Sequence, residues 1–283
     1  MKKTLLALSV LVFVLIILGG ITRIIGAGLS CPDWPLCFGQ FIPPLDPYIF
    51  AEWFHRLIAS IAGAITVIVA FWIFTSKTYR PRIGWLMGIA LALLLLQIWL
   101  GGATVLQQLA SWTVTMHLII GYSFLTVLLL MAFQSEESRT PSFSSFTFLS
   151  FFMLGVTLVQ VALGGLVSAN YAGLACPDFP TCFGEWIPPL RGLVVYQFFH
   201  RLGALIVTIG LLALVFKLKG SGLSKKGRRA LMTAGPLVIL QIIFGVLAIH
   251  THLHQHIRLA HVLVALSLFV SVLVTTYESR YRS

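Results

Sequence analysis

Charge is scarce in this sequence, and acidic side chains are scarcer still. Charged residues make up 10% of the 283 residues, against 58% hydrophobic residues. Ordinary soluble domains carry about 25% charged residues, so a water-soluble enzyme of the usual kind is excluded. The four cysteines include no Cys-x-x-Cys pair. They are therefore expected to form disulfides or to carry thiol chemistry, depending on which side of a membrane they face.

Long uncharged apolar runs predict eight membrane-spanning helices. Their approximate bounds are 5–22, 51–75, 83–106, 113–133, 147–169, 194–217, 231–250 and 258–277. An even number of spans places both termini on one side. The first run follows Lys2 and Lys3 and could be a secretory signal, but no small-x-small cleavage site follows Gly19-Gly20, which favours a retained helix.

The basic residues set the predicted orientation. Lys and Arg total 19 and Asp and Glu total 8, which gives a net charge of +11. Most of the basic residues lie at the termini or in even-numbered connections: Lys2, Lys3, Lys77, Arg80, Arg82, Arg139, Lys217, Lys219, Lys225, Lys226, Arg228, Arg229, Arg280 and Arg282. The positive-inside rule makes that side cytoplasmic. The positive charge is therefore explained by membrane orientation. The basic cluster at 225–229 is interpreted as a segment that fixes this orientation and contacts anionic lipid, rather than as a nucleic-acid-binding patch.

The chain also repeats itself. Segment 29–45 matches segment 174–190 at an offset of 145 residues. Further pairs at offsets of 144 or 145 are His55-Arg56 with His200-Arg201, Gly19-Gly20 with Gly164-Gly165, Gln97 with Gln241, and His117 with His261. The sequence therefore predicts an all-α membrane protein of eight transmembrane helices in two tandem four-helix bundles, residues 1–140 and 141–283, with both termini cytoplasmic.

A shorter motif, Gln-x-x-x-Gly, occurs three times near the outer half of odd-numbered helices. The copies begin at Gln97, Gln160 and Gln241. Glycine at such a position allows the close approach of a second helix or of a flat ligand, and the motif alone does not choose between them.

Four histidines share one predicted depth: His55, His117, His200 and His261. Each lies about one turn into an even-numbered helix from its outer end, roughly 6 to 8 Å below the interface. Within each half the two such helices run parallel, so the two histidines of a half can face each other. Opposed imidazoles are axial ligands of six-coordinate haem iron. A lone membrane histidine is as readily a hydrogen-bonded interior residue or a proton relay, but two matched pairs favour haem.

Three outer-side arginines are candidate partners for haem propionates, because guanidinium forks match carboxylates. They are Arg56, Arg201 and Arg258. Snorkelling or ordinary surface charge is the alternative.

The two halves differ three residues before the first histidine of each pair. Glu52 precedes His55, whereas Gln197 precedes His200. Positions i and i+3 share a helical face, so we expect Glu52 beside whatever His55 binds. A carboxylate in a membrane is costly and usually functional, and Gln offers neither charge nor a titratable proton. This asymmetry indicates chemistry in the first half and a fixed electron carrier in the second. An ion pair between Glu52 and Arg56 is the rival, and it is compatible with catalysis.

The cysteines fall in pairs, Cys31 with Cys37 and Cys176 with Cys182, in the large outer loops. A disulfide would stabilise each small loop by about 2 to 3 kcal/mol. The alternatives are a redox-active thiol pair at the substrate mouth or, less well supported, a zinc site.

A run of alternating histidines lies before the last helix: His250, His252, His254 and His256. It has no counterpart in the first half. An exposed polar loop and a transition-metal site are both compatible with it, because alternation alone fixes no coordination geometry.

Taken together, these motifs resemble the haem A synthase family of bacterial type. The resemblance spans essentially the whole chain and includes Glu52-x-x-His55-Arg56, His117, Gln197-x-x-His200-Arg201, His261 and the two Cys-x5-Cys loops. It implies a resident haem b on His200 and His261 and a substrate haem O between His55 and His117. It also implies the disulfides Cys31-Cys37 and Cys176-Cys182, and an inner-membrane enzyme whose site faces outward.

The resemblance implies an oxidoreductase that converts the C8 methyl of haem O to the formyl group of haem A through hydroxylated intermediates, with oxygen from water and Glu52 as base or electrostatic stabiliser. The expected partners are membrane lipid, a haem O synthase, a membrane electron acceptor and a second copy of the chain, but not nucleic acid. One alternative is a non-catalytic bis-histidine membrane cytochrome, which should carry ligands near both membrane faces. The other is a transporter built from parallel repeats, which would not explain the paired histidines.

Overall fold

The computed structural model describes residues 1–44, 46–219 and 221–281. Leu45, at the end of the first repeated segment, and Arg282, one of the predicted cytoplasmic basic residues, lie outside the described residues.

The chain folds into eight long α-helices, as predicted. They are α1 (Lys2–Ile24), α2 (Pro47–Thr75), α3 (Arg80–Leu106), α4 (Ser111–Gln134), α5 (Ser145–Ala169), α6 (Val194–Phe216), α7 (Lys225–His250) and α8 (Gln255–Ser279). A short 3₁₀ turn, Ala172–Leu174, follows α5. All eight helices are long and apolar enough to cross a membrane. The chain is therefore an all-α integral membrane protein.

Most helices begin earlier than the apolar runs suggest, because capping and polar residues that precede those runs also favour helix starts. The side chain of Asp46 caps α2 by accepting hydrogen bonds from Tyr48 N and Ile49 N, and Pro47 occupies the first helical position. Such residues favour helix starts but carry little hydrophobicity.

The helix bounds correct the predicted depth of the histidines, in α2, α4 and α8 because these helices begin earlier than expected. His55 lies eight residues after the first residue of α2, and the other three lie six residues after the starts of α4, α6 and α8. At 1.5 Å per residue this is about 9 to 12 Å, or about two helical turns rather than one.

The helices group into two compact units, residues 1–138 and 139–283. In the first unit α1 packs against α2 and α4, and α3 packs against the same two helices. In the second unit α5 packs against α6 and α8, and α7 packs against the same two. Each unit is therefore a four-helix bundle in which the two histidine-bearing helices lie diagonally across from each other.

The largest buried side chains lie mainly in the half of each bundle that is away from the histidines. In the first unit Leu5, Ile73, Ile83, Leu128 and Met131 are all less than 2% exposed. In the second unit a cluster of buried residues includes Phe146, Met153, Leu214, Leu231 and Val272. Close packing at this end supplies most of the hydrophobic stabilisation within each bundle.

Large apolar side chains also cover the outer surface of the helices. Phe71 is 72% exposed, Leu95 68% and Phe216 83%. Such exposure would be costly in water but suits contact with lipid tails.

The buried carboxylate of Glu278 connects several segments at the end of the second unit that lacks the paired histidines. Glu278 in α8 is 3% exposed. Its carboxylate accepts from Arg139 Nη1 at 3.1 Å and from Ser224 Oγ at 2.8 Å, and it pairs with Lys226 Nζ at 3.3 Å. Because Ser224 also caps α7 through Gly227 N, this cluster fixes α7 to α8 and to the segment before α5.

Candidate functional site

The first unit places two imidazoles against glycines. A Cβ added to Gly19 of α1 would lie 3.1 Å from Cε1 of His55, and one added to Gly101 of α3 would lie 3.5 Å from Cε1 of His117. Each imidazole therefore lies against a glycine of a neighbouring helix, and at Gly19 a methyl group would be in unusually tight contact with the ring. The facing of His55 and His117 stays a prediction.

The second unit has the same arrangement with its own residues. The corresponding distances are 3.1 Å from Gly164 to His200 Cε1 and 3.3 Å from Gly245 to His261 Cε1. The ring centroids of His200 and His261 are 6.4 Å apart, and the ring planes meet at 68°.

This separation fits two imidazoles on one metal ion. A metal–imidazole bond is about 2.0 Å long. A five-membered ring with bonds of about 1.33 Å places each nitrogen about 1.1 Å from the ring centre. Two ligands in line would therefore have centroids about 6.2 Å apart, close to the 6.4 Å between His200 and His261.

Unpaired polar atoms are concentrated around these histidines. Within the described ranges, buried side-chain atoms that lack a hydrogen-bond partner include Nδ1 of His55, His117 and His261 and Oε1 of Gln97, Gln160, Gln197 and Gln241. Buried groups of this kind are rare in folded proteins and call for a functional explanation. A ligand with metal and polar substituents would supply one.

Three glutamines bond the imidazoles directly. The side-chain Nε2 lies 3.3 Å from His117 Nε2 in Gln97, 3.1 Å from His200 Nδ1 in Gln160 and 2.9 Å from His261 Nε2 in Gln241. The Gln-x-x-x-Gly motif therefore provides both the amide that bonds a ring and the glycine on which the ring lies. The sequence identified the motif but not its target.

Glu52 is almost fully buried, at 4% exposed. Its Oε1 pairs with Arg56 Nη2 at 2.5 Å, and its Oε2 accepts from Cys31 N at 2.8 Å. The ion pair that was the rival interpretation is present. The expectation that Glu52 lies beside the molecule bound by His55 stays a prediction, because the observed contacts of the carboxylate are with Arg56 and with Cys31 N.

Arg56 holds the first disulfide loop, which we define as residues 25–44. Its Nη1 donates to the carbonyls of Asp33 and Leu36, both at 2.7 Å, and its Nη2 donates to the carbonyl of Cys31 at 3.2 Å. The Arg56 side chain is 16% exposed. A propionate contact of Arg56, which stays a prediction, would have to use Nε or replace one of these bonds.

The tip of the first disulfide loop is a tight turn fixed by Asp33. The Asp33 carboxylate accepts from Phe38 N at 2.7 Å and from Gly39 N at 2.8 Å. Both turn residues have positive φ, 55° and 68°. Glycine tolerates this conformation, whereas Phe38 needs the fixed turn around it. The hydrogen bond from Gly39 N is the main reason that the pKa of Asp33 is lowered.

Trp34 connects the first disulfide loop to α3. Its indole ring lies over Gly102, where an added Cβ would come within 3.1 to 3.3 Å of three ring atoms. The loop is therefore seated on the bundle at the histidine-bearing end.

The second disulfide loop, residues 170–193, is held by fewer bonds. Arg201 donates from Nη1 to the carbonyl of Thr181 at 2.7 Å and from Nη2 to that of Cys176 at 2.9 Å. Gln197 is the equivalent of Glu52 in the second half of the repeat. It donates to the carbonyl of Gly173 at 3.2 Å and does not bond Arg201. The predicted propionate contact of Arg201 also stays a prediction.

Asp178 performs the role of Asp33 in the second loop. Its carboxylate accepts from the hydroxyl of Thr181 at 2.5 Å and from the backbone N–H groups of Phe183 and Gly184 at 2.6 and 2.9 Å. These bonds, that of Thr181 first, lower the pKa of Asp178 to about 2.

Both predicted disulfides are present. Cys31 bonds Cys37, and Cys176 bonds Cys182. Each bridge closes the loop whose carbonyls bind the arginine below it.

The remaining predicted residues lie near the start of α8. His250 ends α7, and His252 and His254 precede α8. The rings of His254 and His256 are 5.3 Å apart. In the described part of the chain, no three histidine, cysteine or acidic side chains form a group that could hold a metal ion. Arg258 lies in the first turn of α8, and its predicted propionate contact stays a prediction.

Comparison with known proteins identifies the family of the chain. A family model described as cytochrome oxidase assembly protein, COX15-CtaA, matches residues 2–50 and 46–273. A protein named heme A synthase from Shewanella oneidensis is 30% identical and aligns over 92% of this chain and 92% of its own length. Proteins of the same name from Geobacillus kaustophilus and Halalkalibacterium halodurans are each 29% identical, over 89% and 88% of this chain. The matched regions contain both bundles and both histidine pairs, so the chain belongs to the COX15-CtaA family of cytochrome oxidase assembly proteins.

Proposed function

We propose that the protein is a haem A synthase, an oxidoreductase that converts the C8 methyl group of haem O to the formyl group of haem A. The observation that carries the proposal is the presence of two imidazole pairs in equivalent bundles, of which only the first has a buried carboxylate, Glu52, one helical turn before a histidine. The names of the relatives support the same function.

The two bundles have different roles in this proposal. In residues 1–140, His55 and His117 bind the iron of the substrate haem O. In residues 141–283, His200 and His261 bind a resident haem b, which fits their 6.4 Å centroid separation. When bound, haem b supplies one-electron redox chemistry between the substrate and a membrane acceptor.

The reaction balances with water as the oxygen source. A methyl group and one water give a formyl group, four protons and four electrons. The methyl carbon passes through an alcohol and a gem-diol, each formed with the loss of two electrons and two protons, and the gem-diol then loses water. The protein must therefore accept protons near the substrate and pass electrons onward.

Glu52 is the residue proposed to handle charge and protons at the methyl carbon. Its carboxylate is oriented by Arg56 and by Cys31 N–H. Each carboxylate oxygen has two acceptor sites, so one remains free on each oxygen after these bonds. The oriented negative charge can stabilise positive charge that develops at the ring or accept a proton from water.

We place the protein in the bacterial inner membrane, with the disulfide loops and the site on the outer side. The basic residues at the opposite ends of the helices support this orientation. The proposed partners are lipid, a haem O synthase, a membrane electron acceptor and a second copy of the chain.

Co-expression with a haem O synthase, followed by chromatography of the extracted porphyrins, tests the function. We expect haem A and haem b from the wild-type protein. Glu52→Gln should abolish haem A and leave the haem b spectrum unchanged. The matched control is Glu136→Gln, since Glu136 is exposed and pairs with Lys2 at the other end of the bundle. Haem b alone from the wild type would support the electron-carrier alternative, and no pigment at all would support a transporter. Normal conversion by Glu52→Gln would remove Glu52 from the mechanism.

A further inference from the structure

The first unit balances a buried cation with a buried acid beside its first histidine. Arg56 follows His55 directly and pairs with Glu52 at 2.5 Å, and the two side chains are only 16% and 5% exposed. The other oxygen of the Glu52 carboxylate accepts from Cys31 N at 2.8 Å. The charged pair beside His55 therefore carries no net charge.

The second unit keeps the cation and lacks the acid. Gln197 is the equivalent of Glu52, is 6% exposed and does not bond Arg201. Arg201 donates only to carbonyls of its loop, and its Nε is buried without a hydrogen-bond partner. Among the described residues no acid lies within ion-pair distance of Arg201, and Asp178 interacts with it only from farther away. Because Asp178 is on the exposed turn, solvent screens that interaction, and the charge beside His200 stays largely uncompensated.

The other charges at the histidine-bearing ends differ in the same direction. With histidine neutral, this end of the first unit has three acids and two arginines, and this end of the second unit has three arginines and two acids. The net charges are therefore −1 and +1. The two sets are Arg23, Asp33, Asp46, Glu52 and Arg56 in the first unit, and Asp178, Glu185, Arg191, Arg201 and Arg258 in the second.

A fixed charge near a haem changes its reduction potential. Reduction of ferric iron adds one negative charge, so a nearby cation favours the ferrous state. The propionates of a bound haem add the same negative charge in either bundle, and the difference between the bundles remains. One unit charge at about 10 Å and an effective dielectric constant of about 20 changes the ferrous-to-ferric ratio roughly tenfold.

We infer that Gln197 leaves the charge of Arg201 uncompensated and thereby raises the reduction potential of the haem held by His200 and His261. The inference rests on the proposed function, which gives that haem the role of electron acceptor. Each electron that leaves the substrate reduces one ferric iron to ferrous iron, and a higher potential makes this step more favourable. The exchange of Glu52 for Gln197 between the halves thus serves both bundles, since it supplies an acid to one and withholds it from the other.

Optical redox titration of the full-length protein tests the inference. The protein is purified from cells that lack a haem O synthase, and the resident haem is identified as the component that His261→Ala abolishes. Gln197→Glu places an acid four residues before Arg201, as Glu52 precedes Arg56. At a fixed potential we expect the ferrous-to-ferric ratio to fall about tenfold, which is a midpoint about 59 mV lower for a one-electron couple. Gln197→Met is the matched control, because it also loses the amide donor but adds no charge, and it should match the wild type.

A second pair of variants covers the case in which Gln197→Glu does not accumulate as folded protein. Arg201→Gln removes the same charge and should lower the midpoint by a similar amount. Arg191→Gln removes a charge from an exposed position in the same loop and should have a clearly smaller effect, because solvent screens it.

The outcomes separate the inference from the proposed function. Equal midpoints for Gln197→Glu and Gln197→Met, or for Arg201→Gln and Arg191→Gln, with unchanged low-spin spectra, would overturn the inference alone. The expected shift in Gln197→Glu, together with no haem A after co-expression with a haem O synthase, would support the inference and contradict the haem A synthase function. Wild-type protein in which His261→Ala abolishes no haem signal contradicts both.

Discussion

Replacing Arg56 with lysine should loosen the first disulfide loop. Arg56 makes four hydrogen bonds, three to loop carbonyls and one to Glu52. A lysine ammonium has the charge but not the planar fork, so we expect it to keep about two of the four. The loss of two charge-assisted bonds costs about 3 kcal/mol, at about 1.5 kcal/mol each. Local opening of the loop should then be roughly 150-fold more frequent.

The assay is the rate at which a phosphine reductant cleaves Cys31–Cys37, followed by alkylation and mass spectrometry. Cys176–Cys182 in the same molecule is the internal control, since Arg201 rather than Arg56 holds the second loop. Arg201→Lys is the reciprocal variant. Arg201 makes two hydrogen bonds to its loop, at 2.7 and 2.9 Å. We therefore expect the loss of about one bond and a roughly tenfold faster reduction of Cys176–Cys182.

A particular result would refute this reasoning. If the phosphine cleaves Cys31–Cys37 no faster in Arg56→Lys than in the wild type, the guanidinium group does not hold the loop. If the reduction of both disulfides is accelerated equally in Arg56→Lys, the substitution has disturbed the whole chain rather than one loop.

Three further predictions follow from other contacts. The pKa of Asp178 is lowered from 3.8 to about 2, so its stabilisation of the second loop should be present above pH 3.8 and lost as the pH falls to about 2; phosphine reduction of that loop should speed up across this window in the wild type, and an Asp178→Asn variant should lack the step. Gly164→Ala adds a methyl group 3.1 Å from the His200 ring and should shift the low-spin spectrum of the resident haem, whereas Gly155→Ala, which meets nothing within 4 Å, should not; identical spectra for the two would contradict the glycine contact. Glu278→Ala removes the carboxylate that contacts Arg139, Lys226 and Ser224 and, because both cations are more than a third exposed, should destabilise the second bundle by about 1 to 2 kcal/mol, seen as a lower Tm in detergent; an unchanged Tm would mean that the cluster adds nothing to stability.

The helices were predictable because a helix that contacts lipid must consist mainly of apolar residues. A span must be apolar over most of its length, so α1 to α8 appear as uncharged runs. Helix starts were less predictable, because Asp46 and Pro47 contribute to capping rather than to hydrophobicity. The depth of His55 was misjudged for that reason.

The proximity of His200 and His261 was predictable from the repeat, and the partners of the charged residues were not. Spacing placed Glu52 and Arg56 on one helix face, which anticipates their ion pair. The bonds from Cys31 N to Glu52, and from Arg56 to the carbonyls of the first loop, depend on how that loop folds back over α2. No local pattern encodes a contact between side chains and distant backbone groups.

The glutamines show a limit of a different kind. The three Gln-x-x-x-Gly motifs are visible in the sequence, and so is the glycine pair at Gly19-Gly20. The motif alone does not say what its amide and its glycine contact, and only the structure shows that both lie against a histidine ring.

Separating the close-packed end of each bundle from the imidazole end lets thermal robustness and ligand preference change independently over evolution. Substitutions near Leu5 or Leu231 alter how well a bundle survives heat, and substitutions near Gly19 or Gly245 alter the space around the imidazoles. A variant with altered residues around the imidazoles should therefore keep the unfolding temperature of its parent.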